Sequence, residues 1–394
     1  MKPKIRFKGF EDPWIGRKLT DVVSLYNGLT YTPNSIREKG TLVLRSSNVQ
    51  DGEITLNDNV YVEPSVVNSP NVEKGDIIVV VRNGSRALIG KHAQIKNVMK
   101  DTVIGAFMAG MRSETPEFTN ALLGSPRFDY EVGINLGATI NQITNATFHS
   151  MSFGFPSNKE QKAIGKYFTT LDSQISASTS RLASLKQMKV ASLQAMFPQE
   201  GETVPKVRFK GFEGEWKKVK LGEIAEINPD CKIPDSFEYV DLESVVGTNM
   251  ISHRREKHET APSRAQRLAV KGDIFYQTVR PYQKNNYFFN LEYKDYVFSS
   301  GYAQIRTSKN ALFLFAVIQG NTFLKQVMDN CTGTSFPAIN PTSLKKLIVF
   351  DCDIEEQRAI GNYFTSLDYQ ITLQSQRLEK LKQIKSACLD KMFV

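Results

Sequence analysis

Residues 161–197 read QKAIGKYFTTLDSQISASTSRLASLKQMKVASLQAMF, and residues 357–393 read QRAIGNYFTSLDYQITLQSQRLEKLKQIKSACLDKMF. The two stretches are identical at 21 of 37 positions. In the first, the apolar seam runs Ile164, Phe168, Leu171, Ile175, Leu182 and Leu185, with Ser178 at the one polar seam position. In the second it runs Ile360, Phe364, Leu367, Ile371, Leu378 and Leu381, with Gln374 at the matching position. Both follow a 4-3-4-3-4-3 spacing, the pattern of a two-stranded coiled coil. A polar residue at one seam position fixes register at some cost in stability. Neither stretch contains Pro, and Gly165 and Gly361 fall in the first turns, where they permit close backbone approach. At 1.5 Å per residue, such a helix is a rod of roughly 55 Å.

The repetition extends outward. Residues 3–10, PKIRFKGF, return at 205–212 as PKVRFKGF, matching at seven of eight positions. The chain therefore divides into a variable globular region (1–157), a central helix with a polar linker (158–204), a second variable region (205–353) and a C-terminal helix (354–394). Two arrangements fit the helices. Each can brace or dimerise its own region, or the two can pair with each other antiparallel, with one globular region at each end and a pseudo-two-fold axis. The second is the expectation carried forward, because a two-fold axis matches DNA read as two half-sites. The fold class expected is α+β: two mixed α/β domains joined by two long antiparallel coiled-coil helices.

Composition bounds the rest. A net charge of +9 over 394 residues permits a polyanionic partner, but the excess is spread over all four parts. The N-terminal stretch lacks an apolar signal core, and the longest apolar run, from Ala311 to Ile318, is too short to span a bilayer. Cys231, Cys331, Cys352 and Cys388 are scattered and form no C-x-x-C pair. A cytoplasmic protein with reduced thiols, no metal and no membrane is expected.

Within the variable regions, Lys74-Gly75 introduces an apolar strand over 76–81, and Lys271-Gly272 introduces another over 273–279. The loops after them carry Arg82, Asn83, Ser85, Arg86 and Lys91 in the first region, and Arg280, Tyr282, Gln283, Lys284 and Asn285 in the second. Arg, Asn and Gln are the residue types that read base edges, and Lys and backbone N–H groups hold phosphates. Ordinary polar loops on a basic protein would look similar. Arg254, Arg255 and Lys257, with Arg264 and Arg267 nearby, form a second basic cluster, either a DNA groove or a solvated face. Thr334 and Ser335, in the turn-rich 333–340 segment, are candidate phosphate contacts, and 137–142 is its counterpart in the first region.

Catalytic signatures fail. The segment Gly84 to His92 has five residues between its glycines and His where a phosphate loop needs Ser or Thr. There is no H-E-x-x-H or G-x-G-x-x-G. Asp235, Glu292 and Lys294 make only a chance-grade nuclease pattern. No catalytic residue is expected.

These boxes carry a resemblance. Glu160-Gln161, Ala163-Ile164, Leu171-Asp172, Leu182 to Lys186 and Met196-Phe197 resemble the helix pattern of type I restriction-modification specificity subunits. Glu356-Gln357, Ala359-Ile360, Leu367-Asp368, Leu378 to Lys382 and Met392-Phe393 repeat it. The boxes at 5–10 and 207–212, each followed by Trp14 or Trp216, look like the same family. The resemblance implies two target recognition domains, each reading one half of a split site on double-stranded DNA. It implies no cofactor on this chain. Two modification subunits would bring S-adenosylmethionine, and two restriction subunits would bring ATP and Mg²⁺.

Overall fold

The two repeated stretches form continuous helices, Asn158–Ala195 and Ile354–Met392. The computed structural model describes residues 2–136, 141–293 and 295–394. Of the expected seam, Ile164, Phe168, Leu171, Leu185, Ile360, Phe364, Leu367 and Leu378 are buried. Ile175, Leu182, Ile371 and Leu381 are half-buried. The chain divides into two compact units, Met1–Thr179 with Arg377–Val394, and Ser180–Gln376. Each unit keeps one globular region together with part of both long helices.

Helix pairing is antiparallel within each unit. In the first, the Tyr167 hydroxyl lies 3.4 Å from Cys388 Sγ, and Lys385 bonds Asp172 at 2.6 Å. Contact positions thus fall along one helix as they rise along the other. In the second, Ser192 Oγ lies 2.8 Å from the Tyr363 hydroxyl, and Lys189 Nζ lies 2.5 Å from Asp368. The two sets are equivalent by the repeat. The helix ends close on aromatic rings in the same way. Phe393 packs on Phe168 (5.9 Å between centroids) and Trp14 (6.4 Å), and Phe197 packs on Phe364 (5.7 Å) and Trp216 (6.0 Å).

The globular regions share a topology that their sequences conceal. In the first unit an antiparallel sheet runs in the order Val23–Asn27, Met108–Ser113, Ile77–Val80, His92–Gln94. In the second the order is Ala225–Ile227, Tyr302–Thr307, Ile274–Gln277, Tyr287–Phe288. The expected apolar strands are central in these sheets and wholly buried, as continuous apolar runs require. Each starts at a buried carboxylate on a tight turn. Asp76 accepts from Arg112 Nε (3.1 Å) and the Tyr26 hydroxyl (2.7 Å). Asp273 accepts from Arg306 Nε (2.8 Å) and Gln304 Nε2 (2.6 Å).

Each unit also has a four-stranded sheet built on one parallel pair: Thr41–Leu44 with Thr102–Ile104, and Ser236–Val240 with Tyr296–Ser299. Here the units diverge. The fourth strand, Ile36–Arg37, lies beyond Val60–Val62 in the first sheet. In the second, Ala265–Leu268 lies at the opposite edge, beside Tyr296–Ser299. The apolar run that starts at Ala311 forms the helix Ala311–Gln319, capped by the Asn310 side chain on Phe313 N at 2.9 Å.

Gly361 lets this capped end approach the C-terminal helix. A Cβ there would stand 2.9 Å from Asn310 Oδ1, Leu312 Cβ and Phe313 N. Gly165 holds the same place against Phe118 N, at 2.7 Å. Helix propensity alone predicts that Gly361→Ala stabilises by about 1 kcal/mol. The steric contact with the cap reverses the sign, to a loss of roughly 1–3 kcal/mol. A thermal melt reads the direction: the melting temperature should fall, and a rise would show that the approach is slack.

Candidate nucleic-acid interface

The basic box of each repeat has an inward role. Arg6 forks onto Glu160 (Nε to Oε1 2.7 Å, Nη2 to Oε2 2.8 Å), and Arg208 forks onto Glu356 (2.6 and 2.8 Å). Both carboxylates are fully buried in the first turn of a long helix. The Trp216 indole N–H adds a bond to Glu356 Oε2 at 3.1 Å. Hydrogen bonding to Glu356 holds the Arg208 guanidinium above its ordinary pKa. These clasps fix the start of each globular region to a helix, so the loops beyond the central strands are presented from a rigid base.

In the first unit the loop after Ile77–Val80 is held along its length. Val81 N and Arg82 N both donate to Phe107 O (2.9 and 3.2 Å), and Ile143 N donates to Val81 O (2.8 Å). Asn83 is occupied internally: its Oδ1 accepts from Ser85 N (2.9 Å), and its Nδ2 donates to Ser46 Oγ (3.1 Å). Arg82, Ser85, Arg86 and Lys91 are exposed. The Arg82 guanidinium lies over the Phe107 ring, 5.2 Å from its centroid. Phe107 also lines an open groove of about 650 Å³ with Tyr31, Arg45, Ser46 and Asp58.

In the second unit Arg280 sits at the same strand end in a left-handed conformation (φ 53°, ψ 55°). Its N–H donates to Pro337 O (2.8 Å), and its guanidinium lies 4.3 Å from the Phe336 centroid. A bridge between Val279 and Ala338 joins the two loops. The structure thus joins the loop that starts at Arg280 to the loop that carries the exposed Thr334 and Ser335. The counterpart residues 137–140 of the first unit lie outside the described residues.

Three of the expected contacts in this loop have partners inside the protein. Lys284 Nζ bonds Gln319 O (3.0 Å) and Asn321 Oδ1 (2.7 Å), and burial lowers its pKa. Asn285 Oδ1 accepts from Gly247 N (2.9 Å). Gln283 Oε1 accepts from Gln277 Nε2 (2.8 Å). These bonds shape the loop; Tyr282 and Gln283 are exposed, and Arg280, Lys284 and Asn285 are half-buried.

The second basic cluster is charge-compensated. Arg254, Arg255 and Lys257 lie on the edge strand Arg254–Lys257. Arg254 binds Asp241 (2.6 Å) and Glu256 (2.8 Å), and Arg255 binds Glu238 (3.2 Å), which also accepts from His253 (2.8 Å). Desolvation lowers the pKa of half-buried Arg267. This face is a mixed salt-bridge lattice, not a bare basic groove. Of the chance nuclease pattern, Glu292 is paired with Lys271, and Lys294 lies outside the described residues.

Comparison with known proteins agrees with this two-unit layout. A family model described as type I restriction modification DNA specificity domain matches twice, at residues 11–187 and 213–383. The specificity subunit of the type I restriction enzyme StySPI from Salmonella potsdam is 27% identical over 192 residues. That of EcoKI from Escherichia coli (strain K12) is 26% identical over 195 residues. Each alignment covers 46% of this chain and 41% of the relative, so less than half of either protein is matched. Among solved structures, the type I restriction-modification S subunit from M. genitalium superposes with a TM-score of 0.65 at 15% identity, over 100% of this chain and 99% of that one. A chain from a study of complex assembly and conformational transition of the type I R-M system gives 0.51 at 18% identity, over 97% and 98%. At these identities the likeness is one of fold.

Proposed function

Because the chain belongs to the family of type I restriction-modification DNA specificity domains, we propose that it selects DNA sequence for a partner adenine methyltransferase. Each unit reads one half of a bipartite duplex site. The paired helices set the distance between the halves and dock the modification subunits. Those subunits supply S-adenosylmethionine, and restriction subunits add ATP- and Mg²⁺-driven cleavage. Such a complex works on cytoplasmic DNA.

One observation carries this reading. The two units share a scaffold down to the Arg–Glu clasp and the carboxylate at the head of the central strand, yet the loops after that strand differ. The first presents Arg82, Ser85 and Arg86, and the second Tyr282 and Gln283 beside half-buried Arg280. Repeated support with unlike tips is what reading two unlike sequences requires. Methylating a base in a duplex demands its extrusion, and an enzyme doing so gains from a rigid partner that holds register. Joining both readers in one molecule raises the effective concentration of the second once the first is bound.

Gel shifts on duplex DNA across a salt series test the reading, since phosphate contacts release counterions. Binding that weakens steeply with salt, and no sustained cutting of plasmid with Mg²⁺, are expected of the purified chain. Salt-independent behaviour would point to a protein adaptor, and cutting without partners to a nuclease. Arg82→Ala or Arg280→Ala should cost roughly 1–3 kcal/mol on the preferred sequence if the side chain reads guanine. An equal loss on every sequence would make it a phosphate contact.

A further inference from the structure

The two exposed phenylalanines at the strand ends call for an account of their own. Phe107 is 54% and Phe336 61% exposed, and an aromatic ring left so far in water gains the fold much less than a buried one. Each lies under the arginine that comes after the central strand, Arg82 or Arg280. The rings come from unrelated places. Phe107 precedes the strand Met108–Ser113, whereas Phe336 lies in the loop before the helix Pro341–Lys346. Two loops of different sequence thus place the same pair, a guanidinium on an aromatic face, just past the central strand: Arg82 at the bridge to Gln142, and Arg280 one residue beyond the corresponding bridge of Val279 to Ala338.

We infer that Phe107 and Phe336 are specificity-determining residues, each a platform that fixes a base-reading arginine and offers its apolar rim to the bases beside it. The inference rests on the proposed DNA reading and adds to it. A guanidinium lying over a ring face spends no N–H donor on it, which leaves those donors for the O6 and N7 acceptors of guanine. Stacking also removes rotamer freedom before binding, so less is lost when the fork engages. The backbone beneath is fixed in advance in both units. Phe107 O accepts from Arg82 N at 3.2 Å, so platform and reader share a hydrogen bond. Arg280 is held left-handed ahead of Pro281, with its N–H on Pro337 O at 2.8 Å. A non-glycine residue in that conformation is strained, and the strain persists only where its surroundings enforce it. The ring rim also suits the thymine methyl group, the one apolar feature of the major groove.

The full-length chain, incubated with a library of duplexes randomised over about 30 positions, long enough for two half-sites a helical turn or more apart, supplies the test. Bound DNA is sequenced for the unsubstituted chain and for Phe107→Leu, Phe107→Trp, Phe336→Leu and Phe336→Trp. Leucine keeps apolar bulk without a π face, whereas tryptophan offers a stronger one. Each leucine variant should lower the preference at one or two adjacent base pairs of a single half-site by roughly two- to fivefold. The tryptophan variants should retain it. Thermal melts of all four should coincide with that of the parent, since the rings are exposed. Base preferences unaltered by leucine, or lost equally with leucine and tryptophan, would overturn the inference while leaving the DNA reading intact. Absence of any enriched sequence for the parent chain would overturn both.

Discussion

Glu356→Ala is expected to destabilise the protein by roughly 3–5 kcal/mol, the cost of removing one partner from a buried ion pair. The carboxylate is fully buried and takes two bonds from Arg208 and one from the Trp216 indole. Its loss leaves the guanidinium without its counter-charge, held only by the Gly214 and Glu213 carbonyls (2.7 and 3.0 Å), and the buried indole N–H without its acceptor. For a unit of this size each kcal/mol lowers the melting temperature by roughly 2–4 °C, so a fall of about 6–20 °C is expected. Glu356→Gln keeps the shape and one acceptor and should lose less. Glu160→Ala should act alike through Arg6. If Glu356→Ala shifts the melt by less than about 2 °C, the effect of 1 kcal/mol or less, the clasp is ornamental and the globular regions are held by packing alone.

Exchanging residues 1–157 for the corresponding region of another family member should replace one half of the methylated site completely and leave the other half unchanged. The physical condition is visible in the first unit. Its core takes Leu389, Met392 and Phe393 from the C-terminal helix, and Phe393 packs against both Trp14 and Phe118. A graft that keeps an arginine at position 6 and large aromatic residues at these positions should fold. One that truncates them opens a cavity costing several kcal/mol. Methylation mapping of the hybrid reads the outcome, and a change in both half-sites would refute one reader per unit.

Legibility in the sequence tracks how local each signal is. Helical periodicity, repeated at 164–185 and 360–381, disclosed both long helices to within a few residues, because an apolar seam repeats over many turns. The strands over 76–81 and 273–279 were legible as apolar runs after a Lys-Gly pair. The clasps were not, although both ends were on view as repeated boxes. Arg6 and Glu160 lie 154 residues apart, and nothing in either box names its partner. The charge compensation of the basic cluster at 254–257 was hidden for the same reason, since its Glu238 and Asp241 partners come from the neighbouring strand and the turn just after it. Lys284 turned inward because a carbonyl at the end of the helix Ala311–Gln319 awaited it. Phe107 and Phe336 carried no sequence signal, being single rings in loops that do not correspond.

The most direct measurement is a map of methylated adenines in the host genome with and without this gene. Two short, unlike half-sites separated by a constant unspecified gap, present only with the gene, are predicted. A single contiguous or palindromic motif, or an unchanged map, would contradict two separate readers held on one frame.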